Sequence, residues 1–120
     1  MLGTLALSAL APLVALSPLA VLSPLAVLSP PALAAAATAS IDIKSFAFTP
    51  KEITVVPGTR VVWTNRDETP HTVTAADKSF TSPGLDTGDT FEHTFTAAGD
   101  FTYLCTVHPY MTGIVHVKKP

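Results

Sequence analysis

From Ile41 to Val117 the chain keeps no 3.6-residue apolar period; it is a succession of short runs, each cut off by Pro, Gly or Asp. A helix that packs on a core needs an apolar stripe recurring every three or four residues, whereas alternation marks a half-buried strand. The runs are Ile41–Phe48 (interrupted by Pro50), Ile53–Val56, Val61–Thr64, His71–Ala75, Thr90–Phe95, Phe101–Cys105 and Ile114–Val117. Turn residues separate them at Pro57-Gly58, Pro83-Gly84, Asp86-Thr87-Gly88-Asp89 and Ala97-Ala98-Gly99-Asp100. Several short strands at this spacing predict an all-β sandwich or barrel.

The end of the last-but-one strand carries the chemistry. Cys105-Thr106-Val107-His108-Pro109-Tyr110-Met111 holds a thiol, an imidazole and a thioether within seven residues. These can face one ion only if the chain leaves a strand at Cys105 and turns back at once. Phe101, Tyr103 and Cys105 share one strand face, and Pro109 fixes a backbone dihedral and restricts His108 to extended conformations. A second imidazole, His71, follows the strand-like Arg60–Asn65. Two His, one Cys and a distant Met form the ligand set of a blue-copper centre, in which soft thiolate and thioether favour copper. The expected metal ligands are therefore His71, Cys105, His108 and Met111. No carboxylate is expected among them. Alone, each has an ordinary reading: a buried small hydrophobe for Cys105, a gap-filler for Met111, surface or core positions for the imidazoles. An unpaired Cys in an exported chain sets the joint pattern apart.

Residues 41 to 120 resemble the small cupredoxins of the plastocyanin, pseudoazurin and amicyanin group. The likeness is carried by Val62-Trp63-Thr64-Asn65-Arg66-Asp67, Pro70-His71-Thr72-Val73, Phe95–Phe101 and the ligand loop. The short loop, Cys-Thr-x-His-Pro-x-Met, is most similar to that of amicyanin. The resemblance implies a Greek-key β-sandwich of roughly seven or eight strands with copper at one end. It also implies that the loop imidazole presents its outer edge at the surface. Around it Pro70, Leu85, Pro109 and Tyr110 are expected to form an apolar docking patch.

Two positions depart from amicyanin. Thr72 stands where that family carries Asn, whose side chain ties the ligand loops together; the shorter Thr leaves the tie to Thr106 open. Val107 replaces a Pro. Asn65, Thr72 and Thr106 are the candidates to orient the ligands from behind; Asn65 serves equally as a turn cap. His93, between Phe91 and Phe95, and His116, in the last strand, are expected to be structural, and Trp63 to lie in the core.

Residues 1 to 39 differ in kind. They contain no Lys, Arg, Asp, Glu or His, repeat Leu-Ser-Pro-Leu-Ala-Val at 16–21 and 22–27, and end in an Ala-rich stretch offering small-x-small sites. The expectation is a cleaved secretory leader and a periplasmic domain over 40–120. Pro at 12, 18, 24 and 30 disfavours a straight spanning helix, although the length suffices for a membrane anchor. A mis-assigned start is the remaining reading. A domain of this size has a modest core margin, and a metal bound only by the folded state adds to it. The net charge of −2 gives no reason to expect nucleic acid. Expected partners are an electron donor and an acceptor, met by a monomer through a weak interface.

The function expected from these features is one-electron transfer by a single Cu(I)/Cu(II) ion. A copper carrier or store with the same ligands is the alternative. An enzyme is not expected, since no Ser-His-Asp arrangement, phosphate loop or second metal cluster is legible.

Overall fold

The computed structural model describes residues 3–6, 8–21, 24 and 37–120. The chain divides into two units, Met1–Ala32 and Leu33–Pro120. In the first, the described residues are exposed and without regular secondary structure. Among the described residues no helix is long and apolar enough to cross a membrane. The greater part of the Ala-rich stretch read as a cleavage region lies outside the described residues.

The second unit is built of eight strands, β1 (Thr38–Lys44), β2 (Ala47–Thr49), β3 (Glu52–Val55), β4 (Thr59–Asn65), β5 (Thr74–Ala75), β6 (Thr90–Phe95), β7 (Gly99–Leu104) and β8 (Thr112–Val117). They form two four-stranded sheets, in the orders β2-β1-β4-β6 and β3-β8-β7-β5. Each sheet is mixed: β1 runs parallel to β4 and β3 parallel to β8, while the other pairs are antiparallel. This is the all-β sandwich expected from the alternating runs.

Alternation explains how the layers close. In β4 the inward positions Val61, Trp63 and Asn65 are buried while Arg60 points outward. Ile41 and Ile43 from β1, Tyr103 from β7, and Val115 and Val117 from β8 meet them between the sheets. Trp63 is the centre of an aromatic cluster, within 5.4–6.4 Å of Tyr103, Phe91, Phe80 and Phe95. It is the core residue expected. Tyr103 and Gly113 are directly opposed in the β7–β8 pair, and the Tyr ring lies across the glycine.

Three boundaries differ from the sequence reading. β1 begins at Thr38, two residues before the expected domain start, because Thr38 and Ala39 pair with Arg60 and Val61. The run read as Ile41–Phe48 is two strands folded back on each other, with Lys44 opposite Ala47. Their link is a two-residue turn in which Ser45 and Phe46 both have positive φ, 53° and 55°. Only two residues of His71–Ala75 form a strand; His71 itself pairs in an isolated bridge with Leu85.

Candidate metal centre

The two ends of the candidate site come from opposite sheets. Cys105 immediately follows β7, and the loop returns to β8 through two backbone bonds, Cys105 N–H to Met111 carbonyl (3.1 Å) and Met111 N–H to His108 carbonyl (2.9 Å). These bonds produce the immediate turn that the Cys–His–Met spacing requires. His71 hangs from the segment after β4, fixed by reciprocal backbone bonds to Leu85 of 3.1 and 2.7 Å.

Asn65 is what holds that segment. It is fully buried, and its side-chain amide donates to the carbonyls of Leu85 (2.8 Å) and Thr69 (3.0 Å) while its oxygen accepts the Asp67 N–H (2.9 Å). It therefore caps the turn and pins the His71 segment at once, with each polar hydrogen satisfied as a buried amide demands.

Three donor atoms converge. His71 Nδ1 lies 3.7 Å and His108 Nδ1 3.8 Å from Cys105 Sγ, and all three atoms are within 4.8 Å of one another. Such edges are what bonds of about 2.0–2.3 Å from imidazole and thiolate to one central ion produce. Met111 is buried on the same loop. His71 and Cys105 are inaccessible, whereas His108 is half-buried. The donor set fits copper: soft sulfur, two imidazoles and no carboxylate among the converging atoms.

Burial opposes ionisation of Cys105, but hydrogen bonding at the sulfur, from the Thr72 amide first, outweighs it and brings the thiol down to about 6. A thiolate is thus available near neutral pH, the form in which sulfur binds metal.

The tie left open by the shorter Thr72 is made. Its hydroxyl lies 2.7 Å from Thr106 Oγ1 and accepts the Thr106 N–H at 2.8 Å, and its own N–H points at Cys105 Sγ (3.4 Å). The short side chain suffices because the two loops lie close together.

Two residues of the site were not legible in the sequence. Asp67 Oδ2 is 2.9 Å from His71 Nε2. A carboxylate only accepts, so Nε2 carries the proton and the lone pair of Nδ1 faces Cys105. Asp67 also accepts the N–H groups of Ser45 (2.7 Å) and Phe46 (2.9 Å). Desolvation raises its pKa, but the bonds from Phe46, His71 and Ser45 prevail and hold the carboxyl below its ordinary value. The second residue is Phe46, whose ring stands edge-on to both imidazoles. Spacing hints at Asp67, four residues before His71, but Phe46 comes from another strand pair.

The expected surface patch needs one correction. Leu85 is 2% exposed, because its backbone bridge to His71 turns the side chain into the core. Pro70, Pro109 and Tyr110 are exposed, Tyr110 with its ring 6.1 Å from that of His108. Val107 is exposed as well. His93 and His116 lie apart from the centre. His93 stacks on Phe80 at 4.6 Å. His116 joins Asp100 (2.6 Å) and Glu52 on the outer face of the β3-β8-β7 sheet.

Residues 35–118 match the copper binding proteins of the plastocyanin/azurin family. The chain belongs to that family. It is 33% identical to amicyanin-alpha of Methylorubrum extorquens over 90 residues, covering 71% of this chain and 76% of the relative. Among solved structures it is similar to a purple cupredoxin from Nitrosopumilus maritimus, with a TM-score of 0.64 and 35% identity over 67% of this chain and 99% of that one. A reduced amicyanin variant gives a TM-score of 0.65 at 30% identity, over 72% and 88% of the two chains. Copper is accordingly the metal of this site, and the chain is a blue-copper protein of the electron-transfer type.

Proposed function

We propose that this protein carries single electrons between two exported redox proteins, with copper held by His71, Cys105, His108 and Met111. The observation that carries the reading is the convergence of His71 Nδ1 and His108 Nδ1 on Cys105 Sγ, at 3.7 and 3.8 Å. When bound, copper supplies reversible one-electron exchange.

The protein's own residues do the rest. Asn65 and Asp67 hold the His71 side and the Thr72–Thr106 bonds hold the Cys105 side, so the donors keep their places when the charge at the centre changes. Small rearrangement makes electron exchange fast. His108, half-buried beside Val107, Pro109 and Tyr110, gives electrons their exit through an apolar surface that exposed Pro70 would extend. A patch of this size suits a weak, rapidly exchanging interface. The leader, read as a secretory signal, supports an exported site of action, and the similarity to amicyanin-alpha supports the carrier role.

The test is to load the purified domain with one equivalent of Cu(II), record the visible spectrum, reduce with ascorbate and re-oxidise. An intense thiolate-to-copper band that bleaches and returns is expected, and Cys105→Ser is expected to abolish it. A pale complex that does not cycle would replace electron transfer with copper carriage or storage. Loss of electron exchange in copper-loaded His108→Ala checks the exit route.

A further inference from the structure

The β1–β2 turn has the wrong residues for its shape. A two-residue hairpin with positive φ at both positions selects Asn and Gly, because other side chains strain there. This turn holds Ser45 and Phe46 at φ 53° and 55°. For a bulky aromatic that is a genuine outlier, and such outliers persist where the surroundings enforce them, often at functional sites. Here the enforcing group is known: the Asp67 carboxylate takes both turn N–H groups and, with the same oxygen that binds Phe46 N–H, the His71 imidazole.

The strained conformation has a result at the metal centre. It delivers the Phe46 ring to 5.3 Å from His71 and 5.1 Å from His108, with an interplanar angle of 89° to each. These are favourable edge-to-face contacts. Phe46 is 42% exposed while His71, beside it, is completely covered, so the ring lies on the solvent side of the His71 imidazole.

We propose that Phe46 is a positioning residue for the copper centre: it fixes the mutual angle of the two imidazoles and closes the solvent side of His71 to water and small anions. This rests on the copper reading above and adds to it a side chain that is not a ligand. Asp67 couples the shield to the ligand, since one carboxylate sets both the turn and the His71 ring.

Phe46→Gly in the full chain tests this, because Gly relaxes the turn rather than breaking it. The denaturation midpoint of the copper-free variant is expected to equal or exceed that of the parent. In the copper-free protein, NMR is expected to show greater His108 ring mobility. In the copper-loaded variant, loss of copper to a chelator is expected to be about tenfold faster. Azide is expected to bind the variant's Cu(II), read as a shift of the visible band, and not the parent's. Phe46→Tyr is expected to restore parental behaviour. Unchanged copper loss and azide exclusion in Phe46→Gly would overturn the proposal. So would a fall in denaturation midpoint that accounts for the faster loss, since the role would then be purely structural. If the parent forms no blue band, the proposed function fails. The His108 mobility in copper-free protein then decides the holding role of Phe46 by itself.

Discussion

Asp67 Oδ2 stands 2.9 Å from His71 Nε2, on the opposite side of the ring from Cys105. That single bond assigns the imidazole proton and aims the other nitrogen at the metal. Replacing the carboxylate by the isosteric amide, Asp67→Asn, leaves one acceptor oxygen for three donors. We expect a loss of about 1–3 kcal/mol from copper-free stability, measured by urea denaturation. Copper affinity, measured by chelator competition, should fall by about 10- to 100-fold.

Thr72→Val removes the hydroxyl that accepts the Thr106 N–H at 2.8 Å. The expected cost is about 1 kcal/mol in copper-free stability, since one net hydrogen bond is lost at a partly solvated position. Thr72→Ser keeps the hydroxyl and should recover most of it; urea midpoints of the three proteins decide the point.

Gly113 is required by close approach. A Cβ there would meet Cζ and Oη of Tyr103 at 2.3 Å, deep between the sheets. Gly113→Ala should therefore destabilise by about 1–3 kcal/mol through overpacking. Adding Tyr103→Phe should not rescue it, because the ring carbon is as close as the oxygen. Tyr103→Phe alone should be close to neutral, as the buried hydroxyl has no hydrogen-bond partner among the described residues. Thermal melts of the single and double variants separate these effects.

His116 makes part of the stability pH-dependent. Hydrogen bonds donated to Asp100 and Glu52 favour its charged form and raise its pKa above the ordinary value. A raised folded-state pKa means that the contribution is complete below the unfolded value of about 6.5 and disappears as pH rises through the higher folded value. Urea midpoints across that interval should fall with pH in the parent. The same fall should be absent in His116→Gln.

Much of this architecture is written in local sequence. Alternation placed Phe101 and Tyr103 on one face of β7, with Cys105 next in the same phase, and made Trp63 a core residue, because those patterns depend on a side chain's own neighbours. Two of the converging donors, Cys105 and His108, were equally readable: they sit on one short loop whose Pro109 and strand end dictate a reversal. What escaped were features set by contact across the fold. Ser45 and Phe46 carry no turn signature, since the turn is enforced by Asp67, 22 and 21 residues away. Ala39 has little strand propensity, yet it and Thr38 pair because β4 offers them a partner edge. Leu85 reads as a surface loop residue until its backbone is seen bridged to His71. The Thr72–Thr106 bond depends on loop separation, which composition does not encode.

His71 and Cys105 lie 34 residues apart in the chain but face each other in space. With a single cysteine the chain has no internal disulfide. A metal joining these two residues would close that interval in the folded chain, and because the unfolded chain presents no such site, the binding free energy adds to the stability of the fold. Unlike a disulfide, such a staple is set and released by metal supply rather than by thiol oxidants. The working lifetime of the folded protein would then follow the local availability of copper, so that copies lacking their ion are the first to be lost to proteolysis.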